Sequence, residues 1–207
     1  MIPPNGWRQV KLSEVAKTTS GGTPSRSNVH FYVGSIPWVK SGELNFNTIV
    51  TTEEHISDLA IRSSSAKIIP EGTLLIALYG ATVGRLAFLG IDAATNQAVC
   101  AITPSDELDK HYLYYYLLYK KDYLLTQRIG GAQPNISQTI LKQLPINLPP
   151  PSEQRIILQK IEELFSELDT GRSYLEKSIG TVHRDTESMI SSLRQAILHK
   201  AFTGGLS

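Results

Sequence analysis

The chain has 207 residues and a net charge of +1; 41% of its residues are hydrophobic and 19% are charged. This length and composition exclude a disordered or fibrous protein and leave room for one globular domain with an appendage, or for two very small domains. No apolar run approaches the roughly 20 residues of a membrane helix and no signal peptide opens the sequence, so we expect a soluble, cytoplasmic protein.

The charge is divided unevenly along the chain. Residues 1–46 and 111–151 each carry a net charge of +3, residues 47–110 carry −4, and the tail from Ser152 carries −1. This division suits a protein with one basic face that meets nucleic acid, although scattered surface charge gives similar counts.

Short apolar runs separated by Gly and Pro occupy the first 150 residues and predict strands and turns. Between residues 67 and 102 the runs fall at 67–69, 73–79, 85–89 and 98–102, and their close succession predicts an antiparallel meander. The single cysteine, Cys100, lies in the last run. Its apolar neighbours favour a small buried side chain over a nucleophile, and it has no second cysteine for a disulfide or a shared metal.

A helical pattern follows at residues 106–128. Ser105 is the expected N-cap, with acidic residues in the first turn and basic residues toward the end, so one helix or two abutting helices are predicted. The tyrosines recur every three or four residues, which favours packing on the sheet over stacking on bases. They are Tyr112, Tyr115, Tyr119 and Tyr123. A short helix capped by Ser137 and a strand at 145–148 complete the globular part.

The C-terminal part of the chain predicts a long helix. Pro149–Pro151 form a stiff segment, and Ser152 follows as the expected N-cap of a helix that runs to about Lys200. With Ile157 at heptad position a, the d positions form an unbroken apolar row. The row consists of Ile161, Leu168, Leu175, Val182, Met189 and Ala196. Such a helix would be about 70 Å long and would leave its apolar seam in water unless something covers it.

Two structures would cover this seam. The helix could fold back on its own domain as an αα-hairpin with a break near Gly171 or Gly180, or it could pair with a second chain. Small seam residues such as Gly171 and Ser178 would allow a close approach of two helices. We favour the pair formed with a second chain.

No catalytic or metal-binding signature occurs in the sequence. It lacks the glycine motifs that bind nucleotides, HExxH, paired CxxC and GxSxG, and its five histidines are dispersed. We therefore expect a binding module and not an enzyme.

Three glycine-rich loops are the candidate binding elements. They comprise residues 18–27, 79–85 and 130–137 and combine hydroxyls, amides and basic side chains. Glycines let backbone amides approach phosphate, Arg and hydroxyls hold the DNA backbone, and Gln or Asn can bind adenine through two hydrogen bonds. Ordinary surface turns share this composition, so each loop also fits a purely structural role.

Seven short motifs, together with the C-terminal ending, occur in an order that points to one family. They are Gly6-Trp7-Arg8, Gly22-Thr23-Pro24-Ser25, Ile36-Pro37-Trp38-Val39 with Ser41-Gly42-Glu43-Leu44, Gly80-Ala81-Thr82-Val83-Gly84-Arg85, Asn96-Gln97-Ala98, Gln133-Pro134-Asn135-Ile136-Ser137, Pro149-Pro150-Pro151-Ser152-Glu153-Gln154, and the ending Leu193 to Phe202. In these motifs the chain resembles the specificity subunit of type I restriction-modification systems, in a half-length form.

The resemblance implies an α+β fold in two parts. A target recognition domain with a mainly antiparallel sheet and helices is expected at residues 1–150. A long spacer helix that forms an antiparallel helical pair is expected at residues 151–207. Family members usually hold two such units, and their spacer helices set the distance between two DNA half-sites.

The resemblance also implies partners. With one unit found in the sequence, we expect a homodimer that reads an inverted repeat with an unread gap on double-stranded DNA. The chain is expected to do no chemistry and to recruit methyltransferase (M) and restriction (R) subunits. S-adenosylmethionine, ATP and Mg are expected in those partner subunits, and no cofactor is expected on this chain.

Two sets of functional residues are expected. Basic side chains would anchor phosphate, while Gln133, Asn135 and Arg26 would meet base edges. The DNA-binding candidates are Ser20, Gly21, Thr23, Ser25, Arg26, Lys40, Thr82, Arg85, Gln133 and Asn135. The dimerisation candidates are Ile157, Ile161, Leu164, Leu168, Leu175 and Val182. The alternative function is a coiled-coil scaffold or adaptor that binds proteins without reading DNA.

Overall fold

A computed structural model describes residues 6–127, 135–179 and 184–206 of the chain. Its strand pairs are mostly antiparallel, and a long helix lies near the C-terminus. The predicted α+β class is confirmed.

The described residues form eleven strands and seven α-helices. The strands are β1 (Arg8–Lys11), β2 (Ala16–Ser20), β3 (Ile36–Val39), β4 (Asn47–Ile49), β5 (Glu54–Ile56), β6 (Ile68–Ile69), β7 (Leu74–Ala77), β8 (Leu86–Leu89), β9 (Ala93–Thr95), β10 (Val99–Pro104) and β11 (Pro145–Leu148). The helices are α1 (Leu12–Val15), α2 (Asp58–Arg62), α3 (Lys110–Tyr119), α4 (Lys121–Thr126), α5 (Gln138–Lys142), α6 (Pro151–Ile179) and α7 (Arg184–Phe202).

Contacts divide the described residues into two compact units. The sheet unit comprises Lys11–Ser105 and the described part of Lys121–Leu144. The helical unit comprises residues 6–10, Asp106–Lys120 and the described residues from Pro145 onward. Strand β11 and helix α3 thus group with the C-terminal helices, and the functional boundary expected at residue 150 stays a prediction.

Two sheets build the sheet unit. The larger has the order β2-β10-β7-β8-β4 and is antiparallel except for the outer pair β4–β8. The smaller has the order β5-β3-β9-β6, with one parallel pair, β3–β9. All four strands predicted between residues 67 and 102 form, but the single meander is wrong, because β6 joins the smaller sheet and β10 lies between β2 and β7.

Continuous apolar strands form the core of the larger sheet. All four side chains of β7 are buried, as are Val99–Ile102 of β10, which is typical of strands covered on both faces. Cys100 is fully buried among them, and burial raises the pKa of its thiol to about 12. Its expected role as a small buried hydrophobe is confirmed.

Helix α3 begins later than expected. Its N-cap is Asp109, whose carboxylate accepts hydrogen bonds from the N–H groups of His111 and Tyr112. Ser105 is not the cap, because it follows strand β10 directly and its N–H donates to the carbonyl of Val15. The alternative of two abutting helices is confirmed, since α4 follows α3 after one residue.

The buried tyrosines of α3 belong to the core of the helical unit. The ring centroids of Tyr112 and Tyr116 lie 5.2 and 5.0 Å from that of Phe202 in α7. Their hydroxyls donate to the carbonyls of Asn147 and Pro145 in β11, at 2.6 and 2.8 Å. Buried rings with bonded hydroxyls are not a platform for bases, so the expected core role of Tyr112 is confirmed. Tyr123, the last of the four predicted core tyrosines, is 45% exposed, so the core role predicted for it is wrong.

Helix α6 starts one residue before its expected cap. The carbonyl of Pro150 accepts from the N–H groups of Glu153 and Gln154, at 2.9 and 3.0 Å. Ser152 therefore lies inside the first turn and is not the N-cap. Pro151 takes the first helical position, where its fixed φ fits the helix and its missing N–H costs nothing.

Gln154 anchors the start of α6. Its buried amide nitrogen donates to the carbonyls of Glu107 and Pro149, at 2.7 and 2.9 Å. Its oxygen accepts from the N–H of Asp109 at 2.8 Å. Three hydrogen bonds satisfy this buried amide, as burial of a polar group requires.

Helices α6 and α7 pair antiparallel within the chain. Arg194 of α7 bonds the carboxylate of Asp169, and its guanidinium carbon lies 5.2 Å from the ring centroid of Phe165. Arg172 and Glu187 form an ion pair of 2.6 Å nearer the other end of α7. The two sequences run in opposite directions through these contacts, so an antiparallel pair forms within this chain, and one continuous helix to about residue 200 is wrong. The expected pair with the spacer helix of a second chain stays a prediction.

The break between the helices does not lie at Gly171. This residue is inside α6, and beyond the backbone of α6 itself no atom of the described residues lies within 4 Å of the position that its Cβ would take, so no close helix crossing occurs there. Helix α6 ends at Ile179 and α7 begins at Arg184. The αα-hairpin that the sequence allowed, and that we favoured less, is therefore the observed structure.

Candidate nucleic-acid interface

Four loops leave the sheet unit at one end. The registers place the end of β2, the start of β10, the end of β7 and the starts of β8 and β4 in one row across the larger sheet. The pairs along this row are Ser20–Cys100, Val99–Ala77, Ile76–Leu86 and Asn47–Ala87. We call the loops at this row, residues 20–27, 40–46, 79–85 and 96–98, the loop end.

The smaller sheet contributes to the loop end through β3 and β9. Val39 and Thr95 pair at the ends of these two strands, and residues 96–98 connect β9 to the start of β10. Five strands spaced by about 4.8 Å make the row roughly 19 Å long. A DNA major groove is about 12 Å wide, so the loop end is long enough to cross one.

Ser20 and the two glycines after it join the sheets. The N–H of Gly21 donates to the carbonyl of Val99 at 3.1 Å, and that of Gly22 to the carbonyl of Thr95 at 2.9 Å. Gly21 is buried, and a Cβ there would overlap Thr95. A close approach of backbone requires glycine, and these contacts favour a structural role for Gly21 over the expected DNA contact.

Arg26 lies over two aromatic rings and is bound by a carboxylate. Its guanidinium carbon is 4.1 Å from the ring centroid of Tyr32 and 5.2 Å from that of Trp38. Its two terminal nitrogens donate to the oxygens of Glu54 at 2.5 and 3.1 Å. Trp38 is fixed in turn by donating Nε1 to the carbonyl of Gly22 at 3.1 Å. The two hydrogen bonds and the two rings fix the orientation of the planar guanidinium. The Arg26 side chain is 54% exposed, so it still reaches solvent.

Lys40 meets the same carboxylate. Its Nζ lies 2.7 Å from a Glu53 oxygen and 3.0 Å from a Glu54 oxygen. Hydrogen bonds from Arg26, and to a lesser extent from Lys40, lower the pKa of Glu54 to about 2. The structure thus brings two expected DNA-binding residues together in the Arg26 cluster. This cluster consists of Arg26, Tyr32, Trp38, Lys40, Glu53 and Glu54.

Thr23 and Ser25 make side-chain hydrogen bonds within the loop end. The hydroxyl of Thr23 donates to the side-chain oxygen of Gln97, and the hydroxyls of Ser25 and Ser27 lie 2.7 Å apart. Gln97 is exposed in the turn between β9 and β10. An amide side chain therefore stands beside the loop that carries Arg26.

Thr82 and Arg85 lie in the turn that joins β7 to β8. Backbone hydrogen bonds close this turn, including one from the N–H of Arg85 to the carbonyl of Thr82 at 2.9 Å. Asn135 borders the turn through an isolated β-bridge with Tyr79. Among the described residues, the buried Oδ1 of Asn135 has no hydrogen-bond partner. Gln133 lies outside the described residues.

The expected dimerisation residues divide into a buried and an accessible set. Ile157 and Ile161 are fully buried in this chain, so they are not accessible to a second chain in this structure, and their place in a seam stays a prediction. Leu164 and Leu168 are half-buried, and Leu175 is exposed. The sixth residue, Val182, lies outside the described residues.

Sequence reasoning missed the groups that orient Arg26. Glu54 lies in the stretch of residues 47–110, whose net charge is −4, and nothing around it in the sequence indicated that it would orient an arginine. Tyr32 and Trp38 are separate in sequence from Arg26, and their rings meet at 5.8 Å only in the fold. The sequence motifs that contain Trp38 and Gln97 were recognised, but no local pattern indicated that both residues border the loop that carries Arg26.

Residues 4–176 match the family model described as the type I restriction modification DNA specificity domain. The chain belongs to this family. The specificity subunit of the type I restriction enzyme MjaIX from Methanocaldococcus jannaschii is 31% identical over 171 residues, which cover 80% of this chain and 38% of the relative. The EcoR124I/EcoR124II specificity subunit from Escherichia coli is 27% identical over 165 residues, 77% of this chain and 40% of the relative.

Solved structures of specificity subunits share the fold of this family member. The HsdS subunit from Thermoanaerobacter tengcongensis superposes with a TM-score of 0.67 at 26% identity, covering all of this chain and 47% of that one. A chain from a structure describing complex assembly and conformational transition of the type I R-M system gives 0.65 at 26% identity, with 48% of that chain covered. This chain spans about half the length of these structures, and less than half of the two curated relatives.

The described residues contain no candidate membrane span and no candidate metal site. No helix there is long and apolar enough to cross a membrane. No group of three or more His, Cys, Asp or Glu side chains lies close enough together to hold a metal ion.

Proposed function

We propose that this chain is a non-catalytic DNA specificity module that reads one half-site of a bipartite sequence through its loop end. The observation that carries the proposal is that several candidate DNA-binding residues, distant in sequence, lie at the same end of the sheet unit. Residues from separate segments, around positions 20–27, 40 and 82–85, come to one end of the sheets. Family membership supports DNA recognition as the purpose of this arrangement.

Arg26 is the first candidate for reading a base. A guanidinium can bind O6 and N7 of guanine through two parallel hydrogen bonds, provided that its plane is held in the plane of the base. Tyr32 supports one face of the Arg26 side chain, and Glu54 binds its fork. This fixed orientation favours a base contact over a mobile phosphate contact.

Amide side chains are candidates for reading adenine. Gln97 is exposed beside the Arg26 loop, whereas Asn135, which borders the Thr82–Arg85 turn, would have to rotate its buried Oδ1 into solvent to bind a base. Arg85 would hold phosphate next to them. Glu53 and Glu54 offset much of the charge of Lys40 and Arg26, so base contacts should contribute a large share of the affinity.

A second copy of the chain would read the other half-site. The matched relatives are more than twice as long as the region they share with this chain, which supports a pair of modules in the working assembly. Because Ile157 and Ile161 are buried, the contact between copies would use the outer part of the α6–α7 hairpin. Tyr174, Leu175 and Met189 are exposed there.

M and R subunits would bind this dimer and supply all of the chemistry. One solved neighbour comes from a study of complex assembly in a type I R-M system. The present chain would then fix where on the DNA its partners act.

The sequence that is methylated in cells tests this function. We expect cells that contain the full chain and its M subunits to carry methylated adenine in a two-part motif with inverted half-sites and an unread gap. An asymmetric motif would show that a different module reads the second half-site. Unchanged methylation on removal of this chain would contradict the proposal.

Direct binding of a duplex with that motif tests the loop end. Arg26→Ala should weaken binding about tenfold, because a lost bidentate base contact costs roughly 1–3 kcal/mol. The matched control is Lys17→Ala. Lys17 is an exposed basic residue that lies opposite Thr103 in the strand register, at the other end of the same sheet. Equal weakening by both substitutions would indicate general electrostatics and not site-specific reading.

The scaffold function has one observation in its favour, the exposed apolar side chains on the hairpin. A scaffold would bind its protein partners independently of salt and would not retain a duplex. Duplex binding that weakens as salt rises distinguishes the DNA module from it.

A further inference from the structure

Phe46 has an unusual backbone conformation within the loop end. Its φ is +59°, and it is the one non-glycine residue with positive φ in the described part of the chain. For a bulky side chain this region is a genuine outlier and is energetically costly. Such outliers cluster at functional sites, where the surrounding structure imposes them.

The surrounding hydrogen bonds hold Phe46 in this conformation. Its N–H donates to the carbonyl of Leu86 at 2.7 Å, which places it at the start of β8 in the row of the larger sheet. One residue earlier, the N–H of Asn45 donates to Oδ1 of Asn47 at 2.9 Å. Glycine or asparagine would adopt this φ at lower cost, but the position holds an aromatic ring that is 42% exposed.

A lysine accompanies the ring. The Nζ of Lys121 lies 5.4 Å from the Phe46 ring centroid, within the range of a cation–π contact. The Lys121 side chain also passes Gly84, with its Cγ 3.5 Å from where a Cβ of Gly84 would lie. The ring and the ammonium group thus stand side by side, next to the turn that carries Thr82 and Arg85.

We propose that Phe46 and Lys121 form a DNA contact, in which the ring packs on a base and the ammonium group holds the adjacent phosphate. This inference rests on the proposed function, since it assigns a further contact to the same loop end. An exposed aromatic ring beside a cation matches a nucleic acid, where an apolar base and a charged phosphate alternate. A protein partner would need a larger apolar patch than one strained ring.

Binding of the full chain to a duplex with the methylated motif, measured over a range of salt concentrations, tests the pair. Phe46→Asn should weaken binding about tenfold, because loss of a specific contact with the edge of one base pair costs roughly 1–3 kcal/mol. The slope of affinity against salt should stay unchanged. Lys121→Ala should instead reduce that slope by about one, because one phosphate contact is lost. Phe46→Tyr, which keeps the ring, should bind within about twofold of the native chain.

Two controls separate this contact from a structural role. Val50→Asn removes an exposed apolar side chain just beyond the opposite end of β4, and should leave affinity unchanged. The melting midpoint of Phe46→Asn should stay within about 3 °C of the native value, since relieved strain offsets lost packing. If Phe46→Asn does not fold, Phe46→Leu keeps the apolar bulk and should still lose affinity.

Native affinity in Phe46→Asn or in Phe46→Leu, or a native salt slope in Lys121→Ala, would overturn the inference and leave the ring to a protein partner. Failure of the native chain to bind the duplex at all would instead contradict the proposed function. The two failures are therefore distinguishable.

Discussion

Glu54 determines how Arg26 faces solvent. Without this carboxylate, the guanidinium would rest on Tyr32 and Trp38 by cation–π attraction alone, which does not fix its rotation. With it, two hydrogen bonds set the plane of the fork. The same carboxylate binds Lys40, so one acidic side chain orients both basic side chains of the Arg26 cluster.

The low pKa of Glu54 predicts an acid-sensitive contribution to stability. Because the pKa falls from 4.5 to about 2 on folding, the ionised carboxylate stabilises the fold above about pH 4.5, and this stabilisation is lost as pH falls toward 2. Glu54→Gln should lower the melting midpoint by about 3 °C at pH 7, since a partly exposed ion pair contributes up to about 1 kcal/mol. The difference from the native chain should shrink below pH 4.5.

Glu163→Gln, at an exposed position of α6, is the control and should leave the midpoint unchanged. A Glu54→Gln variant with the same deficit at every pH would show that packing, and not charge, accounts for the effect.

Elements were predicted well where the signal is local. The Ser137 cap of α5 is confirmed by its bond from the N–H of Ile140 at 3.1 Å, and the predicted strands all form near their expected residues. Two other caps were wrong because several residues in each segment can serve. Asp109, and not Ser105, caps α3. At the start of α6, the carbonyl of Pro150 accepts from the first N–H groups, and Ser152 lies inside the helix.

The hairpin could not be chosen from periodicity alone. An apolar row at heptad spacing fits any helical partner, and nothing in the row says whether that partner is the same chain. The contact of Arg194 in α7 with Asp169 in α6, and that of Arg172 in α6 with Glu187 in α7, decide it. These are polar contacts between residues that are distant in sequence, and a hydrophobic pattern does not predict them.

At the start of α6, Gln154 should be essential for stability. Gln154→Ala leaves the carbonyl of Glu107 and the N–H of Asp109 without the partner they now have, at a cost of roughly 2–3 kcal/mol. The midpoint of urea denaturation of the full chain measures this loss. The control is Gln159→Ala, an exposed glutamine on the same helix, which should be within about 0.5 kcal/mol of native. Equal midpoints for the two variants would contradict the anchoring role.

At the scale of the molecule, the sequence indicates which loops are candidates for binding, but not that these loops lie together in the fold. Each candidate loop was visible from its glycines and hydroxyls. Their convergence depends on strand pairing across the larger sheet, in which β10 lies between β2 and β7 and β4 adds in parallel to β8. Pairing of this kind is set by burial of the whole sheet, so local patterns do not specify it.

The central claim is that the loop end is the surface that meets DNA, and amide hydrogen exchange of the full chain tests it most directly. Exchange is compared with and without a duplex that carries the methylated motif. We predict slower exchange on binding at residues 20–27, 40–46, 79–85 and 96–98, and no change at residues 70–73 and 90–92, which lie at the opposite end of the larger sheet. Slower exchange at that opposite end, with the loop end unchanged, would contradict the account.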